Sequence, residues 1–113
     1  MTTLAEKKCV PCEKGAKPLD AERASALLKE LPGWSVQAGR LRRELLLKDF
    51  AEAIRLVRAI AEVAEAEDHH PDLHLTGYRR LAIELFTHSI GGLSENDFVL
   101  AAKIETLPRE LKK

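Results

Sequence analysis

With 113 residues, the chain has the length of one domain. Its 18 Lys and Arg balance 18 Asp and Glu, and 45% of its residues are apolar; this excludes global disorder and argues against a protein built to grip a polyanion, which carries a basic excess. Apolar runs as short as Leu45-Leu46-Leu47 fall far below the ~20 residues that span a bilayer, no basic-then-apolar leader is read at the start, and Cys9 and Cys12 alone cannot form a disulfide framework, so a soluble cytoplasmic protein is expected.

Residues 1–18 read as a tail or extended arm, because Pro11, Gly15 and Pro18 interrupt any period. A domain over 19–113 follows. Asp20 can cap a helix over 21–31, where Ala24, Leu27, Leu28 and Leu31 recur at helical spacing until Pro32-Gly33 stops it. Trp34, Val36 and Ala38 alternate with Ser35 and Gln37, and Gly39 marks a turn. In the next strand Leu41, Leu45 and Leu47 share one face, with Arg43 as the exception.

Asp49 and Glu52 stand three apart, a capping-box variant opening a long helix to about Ala66. Its predicted apolar stripe is Phe50, Ile54, Val57, Ala61 and Ala64, supported by Ala53 and Ile60. A second hairpin places Leu73 and Leu75 on one strand and Leu81, Ile83 and Leu85 on the next, turning at Gly77. Arg80, Ala82, Glu84, Phe86 and His88 then face the other way. Ser94 with Asp97 starts a last helix, with Leu100, Ile104 and Leu107 buried and Pro108 ending it. The order α-β-β-α-β-β-α predicts an α+β fold: a four-stranded antiparallel sheet with three helices on one face.

Three of the four histidines fall in the proline-bounded stretch Asp68-His69-His70-Pro71-Asp72-Leu73-His74. The end of a hairpin's second strand returns near the start of its first, so His88 is expected to come back towards His69 and His70. Glu65 and Asp97 can reach the same corner. An imidazole titrates near neutrality and can give or take a proton, while carboxylates can orient it, so the corner suits acid/base chemistry.

Glu65, three residues, His69-His70-Pro71, six residues, Tyr78, nine residues, His88, eight residues and Asp97 form a spaced pattern. Together with Pro32-Gly33-Trp34, Lys48-Asp49-Phe50, Thr87-His88 and Gly92-Leu93-Ser94, it resembles the pterin-4a-carbinolamine dehydratases over roughly residues 19–107. The segment between Pro71 and His88 is one residue longer than in some members of that family. The resemblance implies dehydration of a 4a-hydroxytetrahydropterin to the quinonoid dihydropterin in tetrahydropterin recycling, without a redox step, cofactor or metal. It implies that His69 and His88 are the acid/base pair, that His70 serves binding and proton handling, and that Glu65 and Asp97 orient them. It also implies a homodimer or homotetramer with a small-molecule pterin substrate, and no nucleic-acid or membrane partner.

Plainer roles stand beside these. His69 and His70 could simply sit at the helix C-terminus, where a cation is favoured. Asp97 could serve only the capping box with Ser94, although one oxygen can cap while the other faces a pocket. Trp34 could floor a pterin site by stacking, or belong to the core. His74 and Tyr78 read as an exposed strand residue and a turn residue. Cys9-x-x-Cys12 has zinc spacing with only half the ligands. Two rival functions are a metal-dependent hydrolase or lyase using the histidines with Asp68 or Asp72, and a non-catalytic dimerisation or interaction module of the same fold.

Overall fold

The computed structural model describes residues 4–9 and 17–112. Cys12 and the rest of 10–16 lie outside the described residues. The elements are α1 (Ala21–Leu28), β1 (Ser35–Gln37), β2 (Arg40–Leu46), α2 (Phe50–Glu67), β3 (Asp72–Thr76), β4 (Arg80–Leu85) and α3 (Glu95–Glu105), in the order expected. A 3₁₀ turn at Leu4–Glu6 precedes α1 and another, His88–Ile90, joins β4 to α3. The four strands form one antiparallel sheet in the order β1-β2-β4-β3.

Both hairpins turn where the sequence supplies left-handed residues. Ala38 and Gly39 have φ of 52° and 75°, Gly77 and Tyr78 of 54° and 53°. Such paired positive φ values match the right-handed twist of the flanking strands. One sheet face carries Leu41, Leu45, Leu81, Ile83 and Leu85 into the core, against Ala53, Leu56 and Ile60 of α2 and Phe98, Leu100 and Ile104 of α3. Each fully buried leucine or isoleucine contributes about 1.5–3 kcal/mol before chain entropy is counted. The opposite face is a lattice of charge, with Arg42 on Glu84, Arg80 on Glu44 and Arg40 on Asp72.

Three details differ from expectation, and a fourth, the placement of Arg43, accords with it. The regular part of α1 ends at Leu28, and single-turn bonds carry the chain on so that Leu31 is still buried. The buried row of α2 is Ala53, Leu56, Ile60 and Ala64: Ala64 and the supporting Ala53 and Ile60 are buried as expected, whereas the row from Phe50 is not, with Phe50 and Ile54 exposed and Ala61 facing solvent. Both rows have helical spacing, and the sheet selects between them. Val36 is exposed although Trp34 is buried, because β1 is a three-residue edge strand. Arg43 does lie on the core face of β2. Its guanidinium sits where a Cβ on Gly33 would be, and Gly33 has φ of 90°, so only glycine fits there.

α3 is buried on nearly every side from Asn96 to Ala102. Leu4–Glu6 and the residues up to Cys9 run along it, with Leu4 in the core and Lys103 Nζ donating to the Ala5 carbonyl. Among the described residues no helix is long and apolar enough to cross a membrane.

Candidate active site

The site begins with the end of α2. Asp68 adopts φ 50°, ψ 41°, its N–H bonds the Glu65 carbonyl, and the next N–H, of His69, bonds the Ala64 carbonyl at 3.2 Å. This Schellman arrangement normally uses glycine at the left-handed position; an aspartate tolerates it better than most residues. It stops the helix and turns His69 back towards the body of the protein.

There His69 Nε2 lies 2.7 Å from Asp97 Oδ1. Asp97 is fully buried in the first turn of α3. Its other oxygen, Oδ2, accepts the Ser94 backbone N–H at 2.9 Å and the Thr87 hydroxyl at 2.8 Å. Thr87 has one hydroxyl proton and gives it to Asp97, so the Ser94 hydroxyl, 2.7 Å away, donates to Thr87. Asp97 therefore does both things considered for it: one oxygen caps α3 and the other meets His69. With the carboxylate as acceptor, Nε2 is the protonated ring nitrogen of His69, and Nδ1 is left to act as base or, once protonated, as acid.

The remaining predicted residues fall in different places. His70 Nε2 is 2.7 Å from Glu65 Oε1, but both side chains are largely exposed, so the contact orients more than it stabilises. His88 follows Thr87 directly and is exposed; its ring meets Phe86 edge to face at 5.1 Å, and Arg40 lies 4.8 Å above the same Phe86. Phe86 and His88 thus share a side, as the strand alternation predicted. His74 is an exposed strand residue 3.5 Å from Glu84. Trp34 is not brought to this corner. It is buried, and its indole N–H donates to Glu105 Oε1 at 2.7 Å, eight residues, or ~12 Å of helix, beyond Asp97. Its ring has no free face for stacking, and Glu105 also approaches Arg43 and Arg109.

Two participants were not assigned to this corner from sequence. Thr87 shares the core face of Leu85 by strand alternation, and a polar residue there was the available signal. Cys9 is the other. Its N–H donates to Glu67 Oε1 at 2.8 Å and its Sγ lies 3.6 Å from the Asn96 carbonyl. Burial, reinforced by the Glu67 carboxylate, pushes the Cys9 thiol up to about 12. Among the described residues no cluster of three His, Cys, Asp or Glu side chains is arranged to hold a metal ion.

The family pattern described as Pterin 4 alpha carbinolamine dehydratase matches residues 17–107. The chain belongs to the pterin-4a-carbinolamine dehydratase family. A Rubrobacter xylanophilus member is 46% identical over 108 residues, which cover 95% of this chain and 100% of that protein. The Arabidopsis thaliana mitochondrial protein named pterin-4-alpha-carbinolamine dehydratase 2 is 42% identical over 115 residues, covering 97% of this chain and 62% of its own. Among solved structures, a transcriptional coactivator/pterin dehydratase from Brucella melitensis superposes with a TM-score of 0.75 at 30% identity, covering 80% of this chain and 97% of that one. A pterin dehydratase-like protein described as a RuBisCO assembly factor in the alpha-carboxysome shares the fold, with a TM-score of 0.55 at 21% identity over 66% of this chain and 87% of that one.

Proposed function

We propose that the protein dehydrates a 4a-hydroxytetrahydropterin to the quinonoid dihydropterin and water by histidine acid/base catalysis. The observation that carries this reading is the His69–Asp97 pair, held by Thr87 and Ser94 on a chain of this family.

The chemistry suits the residues. Hydroxide leaves poorly, whereas a protonated hydroxyl leaves as water; the C–O bond breaks as the neighbouring ring nitrogen supplies its electron pair, and that nitrogen then loses its proton. One group must give a proton and one must take one. In this reading His69, fixed through Nε2 by Asp97, and His88, emerging one residue after Thr87, are the pair, with either able to start as acid. His70 and Glu65 stand at the rim, where the imidazole can bind the pterin and exchange protons with water. The reading takes the form of a cytoplasmic homodimer or homotetramer, and the exposed Phe50 and Ile54 on α2 are apolar surface that assembly would cover.

The test is the decay of freshly generated carbinolamine followed by absorbance, with and without protein. Acceleration over the spontaneous rate is expected, and no acceleration overturns the assignment. A second reading, a non-catalytic interaction module, draws on the assembly-factor description of the 21%-identical fold relative. It would be favoured by partner binding that survives simultaneous His69→Ala and His88→Ala with no turnover in the wild type.

A further inference from the structure

The pair at 2.7 Å is built from two helix ends: His69 follows the last turn of α2, and Asp97 stands in the first turn of α3. Glu67 is the final residue of α2, two before His69, and Asn96 immediately precedes Asp97. Cys9 touches both, with its N–H on the Glu67 carboxylate at 2.8 Å and its thiol on the Asn96 carbonyl at 3.6 Å. Two residues earlier Lys7 Nζ reaches Glu95 Oε1 at 2.6 Å, and Leu4 anchors the segment in the core.

Just before the α3 N-terminus the chain docks again. The Leu19 N–H bonds the Leu93 carbonyl at 2.9 Å, and a Cβ on Gly92 would lie 2.7 Å from Pro18. The loop that delivers Ser94 and Asp97 is therefore flanked by N-terminal residues at two independent places. We infer that residues 4–9 are a brace for the site, and that Cys9, through Glu67 and Asn96, is a positioning residue that sets the approach of His69 to Asp97. The high thiol pKa accords with this role, since a neutral thiol can donate to a carbonyl and a thiolate cannot.

The brace deepens the dehydratase reading but depends on it only in the rate measurement, because a ring proton reports the His69–Asp97 contact whether or not a pterin is turned over. The stronger link uses the Cys9 backbone N–H, so its acceptor is the residue to change. In full-length Glu67→Ala, the His69 Nε2 proton, observed by NMR and assigned by its disappearance in His69→Gln, should exchange with water at least ~10-fold faster than in wild type. Misplacement of the imidazole should lower kcat roughly 3- to 10-fold while KM stays within about twofold. Glu67→Gln, which still offers an oxygen to the Cys9 N–H, should restore both. Lys7→Ala should move both in the same direction by less, which keeps the brace testable if Glu67→Ala does not fold. Arg55→Ala, at the far end of α2, should leave both as in wild type. A folded Glu67→Ala with wild-type proton exchange and kcat overturns the inference, as does an equal response in Arg55→Ala. If wild type shows no turnover yet the ring proton responds as stated, the dehydratase reading fails and the brace stands.

Discussion

His69 Nε2 and Asp97 Oδ1 meet at 2.7 Å across 28 residues of chain, with the carboxylate fully buried and its other oxygen occupied by Thr87 and Ser94. Removing the carboxylate altogether leaves three donors facing an apolar interior, so Asp97→Ala should destabilise the fold by about 3–5 kcal/mol. Asp97→Asn is the more informative change. Its oxygen can still accept from Thr87 and Ser94, but its NH₂ then faces His69 and favours the opposite tautomer. Denaturant unfolding should show a loss of only ~1–2 kcal/mol, while kcat should fall ~10²-fold or more. A fully active Asp97→Asn would separate the tautomer from catalysis.

His88 offers the complementary case. It is exposed, and among the described residues its one ring contact is with Phe86, edge to face. His88→Ala should therefore leave the melting midpoint within the range set by ±0.5 kcal/mol, yet lower kcat by ~10²- to 10⁴-fold if it is the second proton-transfer group. Thermal unfolding and carbinolamine decay on one preparation decide this.

The Cys9 thiol should be chemically quiet. With its pKa pushed up to about 12 by burial and by Glu67, it stays protonated at pH 8, and iodoacetamide should modify it far more slowly in the folded protein than in urea. The same shift gives stability a direction. An unfolded cysteine loses its proton near pH 8.5–9 while the folded one keeps it to about 12, so the unfolded state holds fewer protons in that window. Stability should fall as pH rises from about 9 towards 12, and Cys9→Ser should flatten that slope. Mass-spectrometric alkylation rates and unfolding midpoints at pH 8 and 10 measure both.

Asp68 holds the turn that aims His69. A β-branched residue cannot adopt its left-handed backbone without strain, so Asp68→Val should cost about 1–2 kcal/mol and reduce turnover, whereas Asp68→Asn should keep both. Equal stability of the two variants in urea would show that the turn is held by something other than the residue's conformational preference.

The sequence carried the element order, both hairpins and the core faces of β2 and β4, because each rests on alternation or spacing that one packed face enforces. It carried the phase of α2 only in part: Ala53, Ile60 and Ala64 are buried as read, while the row through Phe50 and Ile54, equally apolar at helical spacing, is left outside by the sheet. The dual use of Asp97 was readable, since a carboxylate has two oxygens and the capping box occupies one. Trp34 was ambiguous for a physical reason, as an indole serves equally well in a core or as a stacking floor, and here Glu105 takes its N–H. The engagement of Cys9 left no trace in local pattern, because residues 4–9 make their contacts with Glu67 and with residues of α3 far along the chain, and no period marks such a strap.

The most direct measurement is carbinolamine decay in His69→Ala beside wild type, by stopped-flow absorbance, with circular dichroism confirming that the variant is folded. The account predicts wild-type acceleration over the spontaneous rate and a loss of ~10²- to 10⁴-fold in kcat for the variant. A folded His69→Ala protein that matches wild type would contradict it.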